Sequence, residues 1–318
     1  MKNILCQSLN IRYPILMGGM LRVGRARLAA AVSEAGGLGI LGAGGWMKDE
    51  LRDQIAALRK RTAKPFGVNV PVRSPRSSEL MEVVLEQKVP VVTTSAGDPA
   101  RYTEALKKAG IYVLHVVPTV EHARKAQGAG VDAIIAEGFE SGGFVNLEEV
   151  TTFILVPQVI EAVHLPVLAA GGIGNGRGLA AALALGAAGV QVGTCFLASE
   201  ESEVTLAYKK ALLLATDTDT VVVRGKSMAR RELKDELLTR VIPNLDKATT
   251  KNWVVHERGE WKENEVQSQL KERGIWPTRS AGQVAGLIHE ILPAKEIIVR
   301  MVHEARDVLK GLGDLLSE

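Results

Sequence analysis

The chain has 318 residues and a formal net charge of +3, from 39 basic and 36 acidic side chains. This near balance argues against a nucleic acid as the main partner. A composition of 46% hydrophobic and 24% charged residues excludes a disordered chain. The sequence has no apolar run of the about 18 residues that a membrane span requires. Two cysteines, Cys6 and Cys195, are too few for a disulfide scaffold or a cysteine-based zinc site. We therefore expect a cytoplasmic protein that has no membrane contact and no bound metal.

Eight short apolar runs alternate with amphipathic segments over the first two thirds of the chain. The apolar runs lack polar alternation, as is typical of strands that are buried on both faces of a parallel sheet. They are Pro14–Gly18, Gly37–Gly42, Pro65–Val70, Pro90–Ser95, Ile111–Val117, Asp132–Glu137, Leu165–Gly171 and Ala188–Thr194. The amphipathic segments show helical spacing and are Ala26–Ala35, Lys48–Lys60, Ser78–Gln87, Pro99–Ala109, Val120–Gly128, Thr152–Val163, Gly176–Leu185 and Ser202–Ala215.

This alternation of strands and helices predicts βαβ units with right-handed crossovers. Eight such units close a TIM-type barrel. We therefore predict an α/β fold, a (β/α)8 barrel, for residues 1–215. An open, doubly wound sheet of eight parallel strands is the alternative.

The pattern changes after Thr216. Residues 216–279 are polar and interrupted, and we expect them to form a cap or insertion on the barrel, with two helices in residues 280–318 packing back on it. In order, the pattern predicts a brief strand and basic turn (Val221–Arg231), a helix (Glu232–Asn244), an exposed polar excursion (Lys247–Glu263) and the two terminal helices (Ser280–Leu292 and Ala294–Leu312). The charge run Arg230–Glu236 is interpreted as a solvated helix face.

The two ends of the predicted strands differ in composition. Prolines stand at several starts, whereas glycines and small polar residues stand at almost every end. The carboxyl ends of the strands of such a barrel build its active-site face. This asymmetry predicts a site at which the backbone closely approaches a large, flat ligand.

Two of these ends predict a phosphate site. Gly171 and Gly172 end the seventh strand and precede a helix near Gly176, and Gly193-Thr194 ends the eighth. Exposed N–H groups at glycine turns and helix N-termini bind anions, and the loops after strands seven and eight commonly hold phosphate in these barrels. Sugar phosphates, pyridoxal phosphate and FMN all fit such a site.

The other polar groups at the strand ends favour FMN. No lysine stands there to form a Schiff base with pyridoxal phosphate. The amide, hydroxyl and carboxylate groups of Asn69, Thr94, Ser95, Glu137 and Gln191 suit hydrogen bonds to a ribityl chain or an isoalloxazine edge. A phosphosugar-handling barrel without flavin is the alternative.

Several ordered motifs resemble the FMN-dependent nitronate monooxygenase family (2-nitropropane dioxygenase-like), which includes the flavin-type enoyl-acyl-carrier-protein reductases. The motifs are YPILMGGM, SEAGGLGILGAG, KPFGVNV, VTTSAGDPARY, VVPTVEHARKAQGAGVDAIIAEGFESGG, TTFILVPQV, LPVLAAGGIGNGRG, AAGVQVGTCF and SAGQVAGLI. The resemblance covers nearly the whole chain and is weakest over Asp217–Arg279.

The resemblance implies a set of FMN contacts at the predicted strand ends and in the loops that follow them. They are Gly18, Gly19, Met20, Asn69, Ser95, Gly97, Glu137, Gly142, Gly143, Gly171, Gly172, Gln191, Gly193 and Thr194. It also implies a small-molecule substrate. NADH or NADPH is a candidate electron donor, and an acyl carrier protein and a second copy of the chain are candidate partners.

The chain departs from the family pattern at one position, because Phe144 stands where the family usually has a histidine that is implicated in proton transfer. His115, at the end of the fifth strand, is a weak candidate to replace it. Oxidation of a nitronate needs no base, since the carbon-bound proton is already gone, whereas enoyl reduction needs an acid. We therefore expect oxidation of alkyl nitronates with O2. NAD(P)H-dependent enoyl reduction, NAD(P)H:quinone reduction and a flavin-binding protein without turnover are the alternatives.

Overall fold

The computed structural model describes residues 3–225, 229–241 and 279–315. Eight parallel strands form one sheet: β1 (Ile15–Met17), β2 (Gly39–Gly42), β3 (Phe66–Pro71), β4 (Val91–Ser95), β5 (Tyr112–Val117), β6 (Ala133–Glu137), β8 (Val167–Ala170) and β9 (Gly189–Val192). Their spatial order is β1-β9-β8-β6-β5-β4-β3-β2. A parallel bridge between Leu16 of β1 and Leu38, just before β2, joins the two edges. The sheet therefore closes, which confirms the predicted barrel and rejects the open sheet.

The helices that connect these strands surround the barrel and lie where the sequence predicts them. They are α2 (Ala26–Glu34), α3 (Lys48–Arg59), α4 (Ser77–Glu86), α5 (Ala100–Lys108), α6 (Val120–Gly128), α7 (Thr152–Ala162), α8 (Gly176–Ala184) and α10 (Leu206–Leu214). Local chemistry fixes several starts, since the Thr119 hydroxyl and the Asn175 side chain accept backbone N–H groups of the first turns of α6 and α8.

Alternation along the strands divides the core into two layers. Residues such as Val113, Ile134 and Val190 pack with the surrounding helices, whereas Leu114 and Ile135 pack with one another inside the barrel. A short helix that the sequence analysis did not predict, α1 (Ile4–Leu9), inserts two buried leucines into this inner cluster. The amino-terminal end of the barrel is thereby filled, and the inward-facing amide and carboxyl side chains of Asn69, Glu137 and Gln191 lie toward the carboxyl ends of their strands.

A second, antiparallel sheet lies beside the barrel. It has the order β10-β11-β7, formed by β7 (Gly143–Val145), β10 (Thr220–Arg224) and β11 (Ala229–Leu233). The predicted helix from Glu232 is therefore wrong at its start, because the chain remains extended through Leu233 before α11 (Asp235–Val241) begins. The prediction that Arg230–Glu236 forms a solvated helix face is also wrong, since β11 is buried throughout. Its arginines find partners, as Arg231 donates to the carbonyl oxygen of Phe139 at 3.1 Å.

The carboxyl-terminal segment differs from the prediction in one helix. Ser280–Leu292 forms only a 3-10 helix at Gln283–Leu287, whereas the last helix, α12 (Ala294–Leu315), is present. The Glu304 carboxylate of α12 accepts the Gly176 N–H of α8 at 2.7 Å, so the last helix packs on the barrel layer. Most of the predicted cap, including Lys247–Glu263, lies outside the described residues. No helix in the described ranges is long and apolar enough to cross a membrane.

Candidate functional site

Polar side chains face inward at the carboxyl end of the barrel. Asn69, Glu137 and Gln191 occupy positions in β3, β6 and β9 that alternate with residues of the helix-facing layer. Asn69 donates to the Thr93 hydroxyl of β4 at 2.9 Å, which fixes the orientation of its amide. Thr93 carries no sequence signal that distinguishes it from the other residues of β4. We call the carboxyl-terminal opening of the barrel the mouth. These side chains make the mouth the polar end of an otherwise apolar interior.

Glu137 is the carboxylate of this inward-facing set. Burial raises its pKa to about 7, although the nearby Ser141 hydroxyl offsets part of the rise by interacting with the carboxylate. The Ser141 oxygen is itself buried, and apart from this interaction no described residue binds it. Glu137 forms no ion pair with any described residue. Near neutral pH the site therefore holds a carboxyl group that can exist in either protonation state.

Gln191 carries an acceptor that lacks a donor. The residue is 8% exposed, and its Oε1 atom has no hydrogen-bond partner among the described residues. In the sheet register, Ala170 stands between Glu137 and Gln191, and its methyl group leaves space between the two longer side chains. A buried acceptor without a donor costs about 1–3 kcal/mol. A ligand that donates an N–H or O–H group at this point would remove that cost.

The loops after β8 and β9 present backbone N–H groups. Gly171 and Gly172 have φ values of +85° and +70°, which only glycine adopts without strain. No described residue accepts the N–H groups of Gly172, Gly193 or Thr194. At the predicted helix start, by contrast, the N–H of Gly176 is taken by Glu304. Open amides therefore lie at the glycine turn and at the start of the four-residue helix α9 (Thr194–Leu197), whereas the first N–H of α8 is occupied.

The loop after β1 lies directly against β3. A Cβ atom on Gly19 would lie 2.3 Å from Asn69 Cγ, so only glycine lets this loop approach the amide. Gly18 donates its N–H to the carbonyl oxygen of Val192 at 2.8 Å, and the Met20 thioether borders Gly193. The predicted residues of the first and last strands are thus brought together.

The loops after β3 and β4 are also tied to each other. Val72 donates its N–H to the carbonyl oxygen of Ser95 at 2.7 Å, and Gly97 packs against the Val72 side chain. Ser95 ends β4 in the inward-facing register of Thr93. Both predicted residues therefore lie at the mouth.

One side of the mouth is built from β7 and the segment before the 3-10 helix. Gly142 contacts the backbone of Ala281 and Gly282, and the Gly282 N–H donates to the Thr194 hydroxyl at 2.9 Å. Gly143 and Phe144 belong to β7, and Phe144 is 40% exposed. From the sequence, Arg230 was assigned only to a solvated charge run, because the pairing of β7 with β11 has no local sequence signal.

His115 lies away from the mouth. It alternates with Leu114, so its ring faces the helix layer, where it is 3% exposed and lies 2.7 Å from the Thr94 hydroxyl. Burial, with the positive charge of His122, lowers its pKa to about 4. Cys195 is likewise buried and donates to the carbonyl oxygen of Gly174, and burial raises its pKa to about 12. Neither geometry favours a catalytic role.

Two cavities occur elsewhere on the described surface. One of about 350 Å³ is lined by residues such as Pro65, Pro90 and Tyr112 at the amino-terminal end of the barrel. Another, of about 470 Å³, lies between α1, α8 and α12. Both are remote from the inward-facing polar set, so the mouth remains the candidate site on chemical grounds. The described residues contain no cluster of three or more histidine, cysteine or carboxylate side chains suited to a metal.

Comparison with known proteins identifies the family. The family model described as nitronate monooxygenase matches residues 2–82 and 76–304. The chain belongs to the nitronate monooxygenase family. A probable nitronate monooxygenase of Staphylococcus aureus is 36% identical over 270 residues, which cover 71% of this chain and 76% of the relative.

Solved structures agree in fold with this family member. FabK from Thermotoga maritima is 42% identical and has a TM-score of 0.86, with 99% of each chain covered. Nitroalkane oxidase from Streptomyces ansochromogenes is 29% identical and has a TM-score of 0.79, with 97% of this chain and 99% of that chain covered. The family is one of flavin-dependent oxidoreductases, and this member is an oxidoreductase with the same TIM-type barrel.

Proposed function

We propose that the protein binds FMN and oxidises alkyl nitronates with O2. The fit to FMN is supported by the buried Gln191 Oε1 atom, which lacks a donor, and by the open N–H groups of Gly172, Gly193 and Thr194. These amides would hold the phosphate, while Gln191 and Asn69 would bind polar groups of the flavin. The bound flavin would supply the two-electron oxidation and pass the electrons to O2.

The choice of substrate rests on Phe144. This side chain lies at the mouth in the position of the family's histidine and cannot accept a proton. A nitronate has already lost the carbon-bound proton, so its oxidation is the activity that this substitution impairs least. The Arg230 guanidinium, 5.3 Å above the Phe144 ring, places positive charge beside the mouth, and an anionic substrate is attracted to such a charge.

Oxygen consumption tests this proposal. The purified protein, loaded with FMN, is given ethyl nitronate or neutral nitroethane at about pH 6, and initial rates are compared. We expect the nitronate to be oxidised at least about 10-fold faster, since no base is required. A protein that binds FMN but shows no bleaching by nitronate or by NADH or NADPH without oxygen would be a flavin-binding protein without turnover. A protein that takes up no FMN would overturn the cofactor assignment.

Reduction of an enoyl thioester by NADH or NADPH is the second candidate. It is favoured by the 42% identity to the enoyl-reductase-like FabK over 99% of both chains, which exceeds the 36% identity to the probable nitronate monooxygenase. An acyl carrier protein would then be the natural partner. NADH-dependent turnover of a crotonyl thioester faster than nitronate oxidation would reverse the order of the two candidates. Quinone reduction by the same donors is measured in parallel.

A further inference from the structure

Glu137 faces inward at the polar end of the barrel. Among the residues that face inward at the carboxyl ends of the described strands, it is the one that ionises; its counterparts are residues such as Asn69, Ala170 and Gln191. The residue keeps part of its surface exposed, although burial dominates the environment of its carboxyl group. Ser141, two residues before Gly143, approaches it from the loop that leads to Phe144. The loop that carries Phe144 therefore also carries the residue that approaches the Glu137 carboxyl group.

The charged groups around Glu137 are engaged elsewhere. The Glu140 carboxylate in the same loop accepts the Thr152 N–H and hydroxyl at 2.9 and 3.0 Å, at the start of α7. Arg231, which packs from β11, donates to the carbonyl oxygen of Phe139. On β5, His115 faces the opposite side of the sheet, and β8 and β9 carry no ionisable side chain. No described cation compensates Glu137, so its proton is held or released by the carboxyl group alone.

We propose that Glu137 replaces the family's histidine as the base that takes the carbon-bound proton of a neutral nitroalkane. The inference rests on the proposed function and extends its substrate class from nitronates to their neutral parents. In this step the C–H bond next to the nitro group breaks and an O–H bond forms on Glu137. The electron pair of the C–H bond stays on the substrate, which becomes the nitronate anion. The proton returns to solvent through the mouth, so no further reactant is needed.

The pH dependence of nitroethane oxidation tests the proposal. With the FMN-loaded wild-type protein, kcat/KM for nitroethane rises with pH as Glu137 ionises, with an inflection near 7. In Glu137→Gln it falls by about 100-fold or more above that inflection, the typical share of a positioned base. Oxidation of preformed ethyl nitronate is measured in the same variant, and the ratio of kcat/KM for nitroethane to that for ethyl nitronate falls, because only nitroethane requires proton removal. An unchanged nitroethane profile in Glu137→Gln would overturn the proposal.

A second readout does not depend on turnover of the flavin. The FMN-loaded proteins are incubated with nitroethane in D2O without oxygen, and the loss of the C–H signal is followed by NMR against buffer alone. Wild type accelerates the exchange above pH 7, and Glu137→Gln does not. Glu140→Gln is the matched control, since it removes a carboxylate three residues away that binds Thr152. We expect Glu140→Gln to keep the inflection in the pH profile of exchange. If the inflection disappeared in Glu140→Gln, the assignment to Glu137 would be overturned.

A third variant keeps the test decisive if Glu137→Gln does not fold. Ser141→Ala removes the hydroxyl that favours the ionised carboxylate, so the inflections of nitroethane oxidation and of exchange move to higher pH. An inflection that stays in place would overturn the proposal.

The experiments distinguish failure of the proposed function from failure of the role proposed for Glu137. If wild type does not oxidise ethyl nitronate, the proposed function fails; if it does so while exchange is independent of Glu137, only this inference fails.

Discussion

Phe144 and Arg230 are cross-strand partners between β7 and β11, and the Arg230 guanidinium carbon lies 5.3 Å from the centre of the Phe144 ring. Arg230 also donates to the Ser280 hydroxyl at 3.1 Å and pairs with the buried Glu232 carboxylate at 3.3 Å. The Phe144 ring is thus held against a fixed cation rather than free in the mouth. Such a cation–π contact contributes about 0.5–2 kcal/mol, and it orients Phe144.

Replacement of Phe144 by histidine is expected to restore proton transfer at this position. The adjacent Arg230 charge disfavours an imidazolium ion, so the new side chain would stay neutral and able to accept a proton near pH 6. At that pH Glu137 is mostly protonated, which isolates the new base. We expect kcat/KM for nitroethane to rise by at least about 10-fold, as measured by oxygen consumption. Phe144→Leu is the control, and an equal gain in both variants would show that space, not proton transfer, is responsible.

The glycine turn after β8 permits a matched comparison. Gly172 has φ +70° at the mouth, and Gly110 has φ +74° in the loop between α5 and β5, where a Cβ atom would contact nothing within 4 Å. An alanine at either position meets the left-handed strain of about 1–2 kcal/mol. We expect both alanine variants to lose similar stability in urea, while only Gly172→Ala weakens FMN binding, by about 10-fold or more. Equal FMN affinities in the two variants would remove Gly172 from the phosphate site.

Most of the barrel was predictable because its signals are local. Each buried strand reads as a continuous apolar run, and each helix has an apolar face, so eight units could be recognised without any long-range information. The short helix α1 escaped prediction because six residues carry too little periodicity. The pairing of β7 with β11 also escaped, since it joins Phe144 to Arg230 across more than 80 positions and its basic residues resemble a solvated surface.

Replacement of Gln191 by leucine separates binding from folding. In the protein without flavin, the Gln191 Oε1 atom is buried without a donor, so removing the amide relieves a cost of about 1–3 kcal/mol. We expect the free energy of unfolding without FMN to stay constant or rise, while the FMN dissociation constant increases. Asn69→Leu is the contrast, because Asn69 donates to Thr93 and its loss costs stability without FMN. A destabilised Gln191→Leu protein with unchanged FMN affinity would contradict this role for the amide.

The candidate site was predictable in its residue types but not in its partners. Strand-end positions alone placed Asn69, Glu137 and Gln191 at one opening, because parallel strands in a barrel end on the same side. Sequence could not show that Glu304, more than 120 residues away, takes the Gly176 N–H. Nor could it show that His115 and Glu137, both at strand ends, face opposite sides of the sheet, since that depends on the register of each strand.

Glu137 also predicts how stability without flavin depends on pH. Its pKa is raised from 4.5 to about 7 in the folded protein, so between these values the folded state binds the proton and the unfolded state does not. The contribution of this group to the free energy of unfolding is therefore greatest at or below the unfolded pKa and is lost as pH rises through the folded pKa. In urea denaturation we expect Glu137→Gln to gain stability over wild type between about pH 5 and pH 8, by no more than about 3 kcal/mol. Glu140→Gln, which loses the Thr152 hydrogen bonds, should be destabilised at both pH values instead. If the difference in the free energy of unfolding between wild type and Glu137→Gln stayed constant from pH 5 to pH 8, the carboxyl group would ionise normally in the folded protein. Glu137 would then be ionised well below neutral pH.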